Sequence, residues 1–186
     1  MERWVLLRKG ADFEAIGKKY QISPRLACLI RNRDVIGEEA VDRYLNGTIS
    51  DLYDGMLMKD MDKAIDILKE KILEDKKIRV IGDYDIDGVN ATYILLEGLE
   101  RLGADVDSDI PDRISDGYGL NRHLVERAYE AGVDTLITCD NGIAAADEIA
   151  YGKEMGMTVI VTDHHEVPFD EHDGEKRYRI PPADAV

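Results

Sequence analysis

Residues 77–103 read KIRVIGDYDIDGVNATYILLEGLERLG and place a strand, an acidic turn and a helix in immediate succession. The segment KIRVIG is short and apolar, which is typical of a buried strand. The segment VNATYILLEGLERLG is largely apolar and ends at Gly103, a residue type that commonly terminates helices. Between them, GDYDIDG holds three carboxylates in five residues. We expect Gly88 to allow a tight turn into a helix that begins near Val89.

The same alternation of strands and helices continues along the chain. The segments ADVDSDI, DTLITC and MTVIVT read as strands, and helical patterns lie before and between them. This order predicts βαβ units, and therefore an α/β fold with a mainly parallel sheet flanked by helices. We assign that domain to residues 56–186 and a short helical N-terminal segment to residues 1–55. The charged tail EHDGEKRYRIPPADAV reads as loop.

The composition is that of a folded protein with no membrane partner. Hydrophobic residues make up 44% of the chain, and no apolar run approaches a membrane span. The formal net charge of −15 argues against binding nucleic acid through bulk electrostatics. It does not exclude a nucleic-acid enzyme whose site carries metal ions, because bound cations invert the local field. Cys28 and Cys139 are expected to be reduced thiols, which indicates a cytoplasmic protein.

Acidic and imidazole side chains follow three of the predicted strands at the point where each strand ends. They are Asp83, Asp85 and Asp87 after the first strand, Asp140 after the third, and Asp163, His164 and His165 after the fourth. Ligands bind beyond the carboxyl ends of parallel strands, so these side chains are expected to converge. Carboxylates with one or two imidazoles suit Mn²⁺ or Mg²⁺, and could also admit Co²⁺ or Zn²⁺. Five carboxylates exceed what one ion requires, which favours a pair of ions.

Two other kinds of protein site share part of this acidic pattern. The pattern Asp83-x-Asp85-x-Asp87-Gly88 matches the first half of an EF-hand loop, but Ile94 stands at the twelfth position, where a bidentate glutamate is needed. A phosphate-accepting receiver domain would leave the adjacent histidine pair without a purpose, and its lysine-bearing strand end is not evident. Both alternatives explain less of the sequence than a centre for two divalent ions.

Three segments, GDYDIDG, TCDNGI and VTDHHE, in this order and spacing resemble the motifs of the DHH phosphoesterase superfamily, named for an Asp-His-His triplet. The segment IPDRISDGYGLN and the helical start of the chain are similar to the RecJ group of that superfamily. The resemblance covers essentially the whole chain. It implies a metal-dependent exonuclease that degrades single-stranded DNA from the 5′ end in DNA repair and recombination, with two Mn²⁺ or Mg²⁺ ions.

The resemblance also implies residue roles. Metal ligands would be Asp83, Asp85, Asp87, Asp140 and His164, with Asp140 bridging two ions. His165 would contact the scissile phosphate or its metal, and Asp163 would orient a histidine and fix its tautomer. Arg113 would grip a substrate phosphate, since a guanidinium binds phosphate oxygens bidentately. Tyr118, between two glycines, is interpreted as part of a turn rather than as a base-stacking residue.

The sequence departs from the family pattern in one respect. A further aspartate motif and a second domain follow the triplet in the family, whereas this chain ends at PPADAV. We therefore expect an N-terminal portion of a longer protein, with little nuclease activity and weak Mn²⁺ binding by itself. Expected partners are single-stranded DNA, the C-terminal domains of the same polypeptide and a single-strand DNA-binding protein.

Rival functions remain. Within the superfamily they are a pyrophosphatase, a nano-RNase and a cyclic-dinucleotide phosphodiesterase, which the DGYGLN segment and the helical start disfavour. From another class comes a non-catalytic DHH-like replication scaffold. Degenerate motifs would indicate the scaffold, and all three motifs are intact here.

Overall fold

The computed structural model describes residues 9–114, 116–117, 119–172 and 174–186. The chain divides into two compact units, Met1–Asp54 and Gly55–Val186. In the described part of the first unit, the helices are α1 (Phe13–Tyr20), α2 (Pro24–Asn32) and α3 (Glu38–Asn46), followed by a 3₁₀ turn at Ile49–Asp51. The hydroxyl of Ser23 caps α2, and Pro24 occupies its first turn, where a missing N–H costs nothing.

The second unit contains the sheet. Its elements are a 3₁₀ turn (Gly55–Leu57), α4 (Met61–Leu73), β1 (Ile78–Ile81), α5 (Ile86–Arg101), β2 (Val106–Asp109), α6 (Arg122–Glu130), β3 (Thr135–Cys139), α7 (Ala146–Glu154), β4 (Thr158–Thr162), β5 (Phe169–His172) and β6 (Glu175–Tyr178). The first four strands form one parallel sheet in the order β2-β1-β3-β4. This architecture confirms the predicted α/β fold.

Apolar side chains cover both faces of the sheet. All five residues of β3 are buried, as expected for a central parallel strand covered on both sides. One face packs against α6 and α7, represented by Leu124 and Ile149. The other packs against α4 and α5, represented by Leu68 and Leu99. Helices on both faces leave the strand ends as the place where polar side chains can gather.

The prediction of loop for the charged tail is wrong. Strands β5 and β6 form an antiparallel hairpin, although all of their residues are exposed. The rings of Phe169 and Tyr178 pack edge to face with centroids 5.8 Å apart, and Gly174 has φ +82° where the chain reverses. The hairpin carries no buried apolar face, and for that reason its sequence lacks the alternation that identifies a strand. Farther on, Ala185 forms a parallel bridge with Ile160 of β4.

Neither cysteine forms a disulfide within the described residues. Cys28 and Cys139 are both free thiols, as predicted. Among the helices of the described residues, none has the length and apolar character needed to cross a bilayer.

Candidate metal centre

The ends of β1, β3 and β4 bring predicted metal ligands together. Two groups of side chains each offer ligand atoms that lie within 4.8 Å of one another. The first group is Asp83, Asp85 and Asp140, and the second is Asp140, His164 and His165. Asp140 belongs to both groups, which is the arrangement that a carboxylate bridging two ions requires. The predicted convergence at this edge of the sheet is therefore present.

The carboxylate of Asp85 begins helix α5. It accepts hydrogen bonds from the backbone N–H groups of Asp87 and Gly88, both at 2.9 Å. These bonds, first the one from Gly88, lower the pKa of Asp85 and keep it ionised. The helix consequently starts at Ile86, and the expected start near Val89 is wrong because an acidic N-cap satisfies the first N–H groups of the helix.

Gly88 has a different purpose from the predicted turn. It lies inside the first turn of α5, where a Cβ atom would stand 2.5–2.7 Å from the backbone of Asp83. Atoms cannot approach that closely without displacement of the backbone. A glycine at this position therefore lets the helix pack directly against the backbone of Asp83, two residues beyond the end of β1.

Asp83 is a buried carboxylate that lacks full compensation from the protein. It is 1% exposed, and its Oδ1 atom has no hydrogen-bond partner among the described residues. Burial raises the pKa of Asp83, and the nearby charges of Asp85 and Asp140 raise it further. Burying such a group is costly unless it is paired. A divalent cation would supply the missing partner, so the residues present fit a metal ion.

The turn after β3 holds Asp140 in an unusual conformation. Asp140 has φ +60° and Gly142 has φ +107°, and a Cβ atom on Gly142 would lie 2.4 Å from Oγ1 of Thr138. Between them, Asn141 is 2% exposed. Sequence reasoning gave Asn141 no role, although a polar residue directly after a buried strand is a signal that its amide has backbone partners.

Asp163 supports its neighbours from a buried position. Its side chain is 2% exposed, and it accepts hydrogen bonds from the N–H groups of Ile143 (2.9 Å) and His165 (3.1 Å). Burial by itself would raise the pKa of Asp163, but these bonds and the imidazole of His165 bring it below its ordinary value. The ionised carboxylate can only accept, so it places a proton on Nδ1 of His165, 2.7 Å away.

His164 and His165 differ in their partners. Nε2 of His164 lies 2.8 Å from Oδ1 of Asp140. The hydrogen bond with Asp163 raises the pKa of His165, and the charges of Asp140 and Asp83 act in the same direction. The histidine that Asp163 contacts is His165, and the orienting role of Asp163 stays a prediction.

Besides Asp163, two predicted site residues lie outside the two ligand groups of the described chain. Asp87 is in the first turn of α5, exposed, and lines the same cavity as Asp140 and His164. Arg113 lies beside the acidic loop, with its guanidinium carbon 5.2 Å from the ring centroid of Tyr84. Tyr118, predicted to form a turn, is outside the described residues.

The sequence matches a known protein family over the part of the chain that contains the site. The sequence model of the DHH family, N-terminal domain, matches residues 77–185. The chain belongs to the DHH family. That match begins at the strand leading into the acidic loop and includes all of the ligand residues named above. It confirms the family resemblance noted in the sequence.

The curated relatives of this DHH chain include single-stranded-DNA-specific exonucleases named RecJ. The chain is 39% identical over 165 residues to the protein of Bacillus subtilis, covering 88% of this chain and 21% of the relative. It is 35% identical over 172 residues to that of Haemophilus influenzae, covering 92% of this chain and 28% of the relative. The chain therefore spans between a fifth and a third of the length of these relatives.

The fold of this chain is also similar to solved structures of RecJ exonucleases. A manganese-bound RecJ exonuclease aligns with a TM-score of 0.59 at 37% identity, covering 70% of this chain and 32% of that structure. RecJ from Thermus thermophilus in complex with Mn²⁺ aligns with a TM-score of 0.58 at 29% identity, covering 92% of this chain and 22% of that structure. Both neighbours were solved with the metal that the donor set here suits.

Proposed function

We propose that this chain supplies the two-ion centre of a nuclease that degrades single-stranded DNA from its 5′ end. The observation that carries the proposal is the membership of Asp140 in both ligand groups. Curated relatives of the chain are named as single-stranded-DNA-specific exonucleases, and a similar solved structure is an exonuclease RecJ bound to manganese. Two neighbouring ions can stabilise both the attacking and the leaving oxygen of a phosphoryl transfer.

The proposed ligands follow the two groups. Asp83, Asp85 and Asp140 would hold one Mn²⁺ or Mg²⁺ ion, and Asp140, His164 and His165 would hold the other. Asp87, which lines the same cavity as Asp140, is proposed as an additional ligand through its exposed carboxylate. When bound, the ions lower the pKa of water at the site and offset the negative charge of the phosphate.

The chain's own side chains provide orientation and charge. Asp163 keeps the proton of His165 on Nδ1, so that Nε2 of the neutral imidazole is the nitrogen that would bind an ion. Arg113 is proposed to bind a phosphate oxygen of the DNA, with its guanidinium over the ring of Tyr84. Its position next to the acidic loop places a positive group beside a negatively charged site.

The domain proposal follows from the length of the relatives. We propose that residues 56–186 form the first part of a DHH domain and residues 1–55 its helical lead-in. The chain covers 21% and 28% of two relatives, which supports further domains of the same polypeptide as partners in binding DNA. A cytoplasmic location and contact with a single-strand DNA-binding protein complete the proposal.

Activity can be tested in a chimera that places this chain in the aligned segment of the Bacillus subtilis relative. We expect Mn²⁺-dependent release of nucleotides from 5′-labelled single-stranded DNA, with slower loss of a 3′ label and little attack on duplex. Asp140→Ala should abolish release while the chimera stays folded. Faster hydrolysis of pyrophosphate or cyclic dinucleotides would favour the rival phosphoesterases. Near-normal DNA degradation by Asp140→Ala would refute the bridging role.

A further inference from the structure

The side chain of Asn141 lies between the two strands that deliver the first ligand group. Its Nδ2 donates hydrogen bonds to the carbonyl oxygens of Ile81 (3.1 Å) and Cys139 (3.0 Å). Ile81 ends β1 and precedes Asp83 by two residues, whereas Cys139 ends β3 and directly precedes Asp140. One amide therefore ties the ends of β1 and β3 together immediately before their ligands.

We propose that Asn141 is a positioning residue that holds Asp140 in its left-handed conformation and within reach of both ligand groups. The proposal rests on the metal centre proposed above and deepens it. The buried, uncharged side chain of Asn141 would thus align the carboxylate of Asp140, which two ions would share.

The hydrogen bonds around the turn explain why Asn141 is needed. The N–H of Asp140 donates to the carbonyl of Thr162 on β4 (3.1 Å), and the N–H of Ile143 donates to Asp163, which follows β4. Both of these bonds anchor the turn on the β4 side. Asn141 supplies the link to β1 on the other side. The β1–β3 ladder ends at the pair of Ile81 and Thr138, so loss of the Asn141 hydrogen bonds would leave the turn beyond it anchored mainly on the β4 side.

The chemistry of the position selects asparagine. Two carbonyl oxygens require two donated hydrogens, and the amide NH₂ group provides both, while an aspartate carboxylate provides none. The amide oxygen has no hydrogen-bond partner among the described residues, so the donor side of the amide is the part that the turn uses. Serine is smaller and can donate a single hydrogen bond.

Isosteric replacement provides a sharp test on the 186-residue chain. Asn141→Asp removes the donors and adds negative charge near the ligands, so electrostatics alone predicts tighter Mn²⁺ binding. We expect weaker binding instead, by about tenfold or more, as is typical when a residue that orients a metal ligand is lost. Asn90→Asp on the exposed side of α5 is the matched control and should bind Mn²⁺ at least as tightly as the unaltered chain. Asn141→Ser should lie between.

A second measurement does not depend on metal. The backbone φ of residue 140, obtained by NMR without metal from its amide-to-Hα coupling combined with its one-bond Cα–Hα coupling, should leave the left-handed region in Asn141→Asp and stay there in Asn90→Asp. Unchanged φ together with unchanged or tighter Mn²⁺ binding would overturn the proposal. Collapse of the fold in both Asn141 variants would also overturn it, since Asn141 would then serve folding alone. If the unaltered chain took up no Mn²⁺, the metal centre would fail, while the coupling would still decide the role of Asn141.

Discussion

His165 and Asp163 form a pair in which an accessible imidazole rests on a buried carboxylate. Nδ1 of His165 lies 2.7 Å from Oδ1 of Asp163, and the two side chains are 46% and 2% exposed. The carboxylate is further fixed by the N–H of Ile143. An imidazole held in this way has one tautomer and one orientation, and its second nitrogen faces away from the carboxylate.

The pair predicts a pH dependence in the metal-free protein. The folded-state pKa of His165 is raised, so its protonated form stabilises the fold below the ordinary histidine pKa, and this contribution is lost as pH rises through the folded value. The pKa of Asp163 is lowered, so its contribution is present above the ordinary aspartate pKa and lost as pH falls through the folded value. The pair should therefore stabilise the protein most at weakly acidic pH.

Asp163→Asn tests this dependence. It should lower the pKa of His165 and destabilise the fold by about 1–3 kcal/mol near pH 6, because buried hydrogen bonds to a charged group are lost. NMR titration of His165 and urea unfolding, both in the presence of a chelator, provide the measurements. Asp170→Asn on the exposed hairpin is the control and should change neither quantity. An unaltered His165 pKa in Asp163→Asn would contradict the assigned pairing.

Asp140 offers a test that separates stability from metal binding. Its φ of +60° is unfavourable for a residue with a Cβ atom and acceptable for glycine. Asp140→Gly should therefore keep the free energy of unfolding or raise it by up to about 1 kcal/mol. The same change should eliminate Mn²⁺ binding, measured by calorimetry. A variant that is both less stable and still able to bind Mn²⁺ would contradict the strain and the ligand role together.

The sequence predicted the sheet and the location of the site because both follow from strong patterns. Strands β1, β3 and β4 are apolar runs bounded by polar residues, and parallel strands bring their carboxyl ends to one edge. The exposed hairpin was not predicted because it has no buried face. Patterns of hydrophobicity report burial, and the hairpin is held by cross-strand bonds that leave no such signal.

The details of the site depend on contacts between distant segments. Helix α5 begins before the predicted position because Asp85, interpreted from the sequence only as a metal ligand in a turn, also caps the helix. Gly88 is required by the backbone of Asp83, and Asn141 donates to the carbonyl of Ile81. A single sequence does not show which segments approach each other so closely. The sequence therefore predicted which residues lie at the site, but not the structural roles of several of them.

Gly88 and Gly98 form a matched pair on one helix. A Cβ atom at Gly88 would collide with the backbone of Asp83, whereas one at Gly98 would meet nothing within 4 Å. Gly98→Ala should stabilise the protein by about 0.5–1 kcal/mol through helix propensity. Gly88→Ala should destabilise it by about 2 kcal/mol or more despite the same gain, because overpacking forces backbone shifts. Urea unfolding of both variants measures the difference, and equal effects would show that α5 does not pack tightly on Asp83.

Arg113 supplies the test of substrate contact. Its guanidinium lies over the ring of Tyr84 in the ligand loop, where a phosphate of bound DNA would gain a bidentate partner. In the chimera with the Bacillus subtilis relative, Arg113→Ala should raise KM for single-stranded DNA about tenfold or more, with a smaller change in kcat, since it removes about 1.5–3 kcal/mol of charged hydrogen bonding. Arg113→Lys should recover part of the loss, because lysine keeps the charge without the bidentate geometry.

The control for Arg113 is a second exposed arginine in the same unit. Arg101 pairs with Glu97 on the surface of α5, one helix length from the acidic loop, and Arg101→Ala removes the same charge. We expect its KM to change by less than about twofold, as for a surface charge that contacts no substrate. If both arginine variants raised KM equally, the effect would come from net charge, and Arg113 would have no specific contact with the phosphate. A KM raised in Arg113→Ala alone, with Mn²⁺ affinity unchanged, would place Arg113 on the substrate rather than on the metal centre.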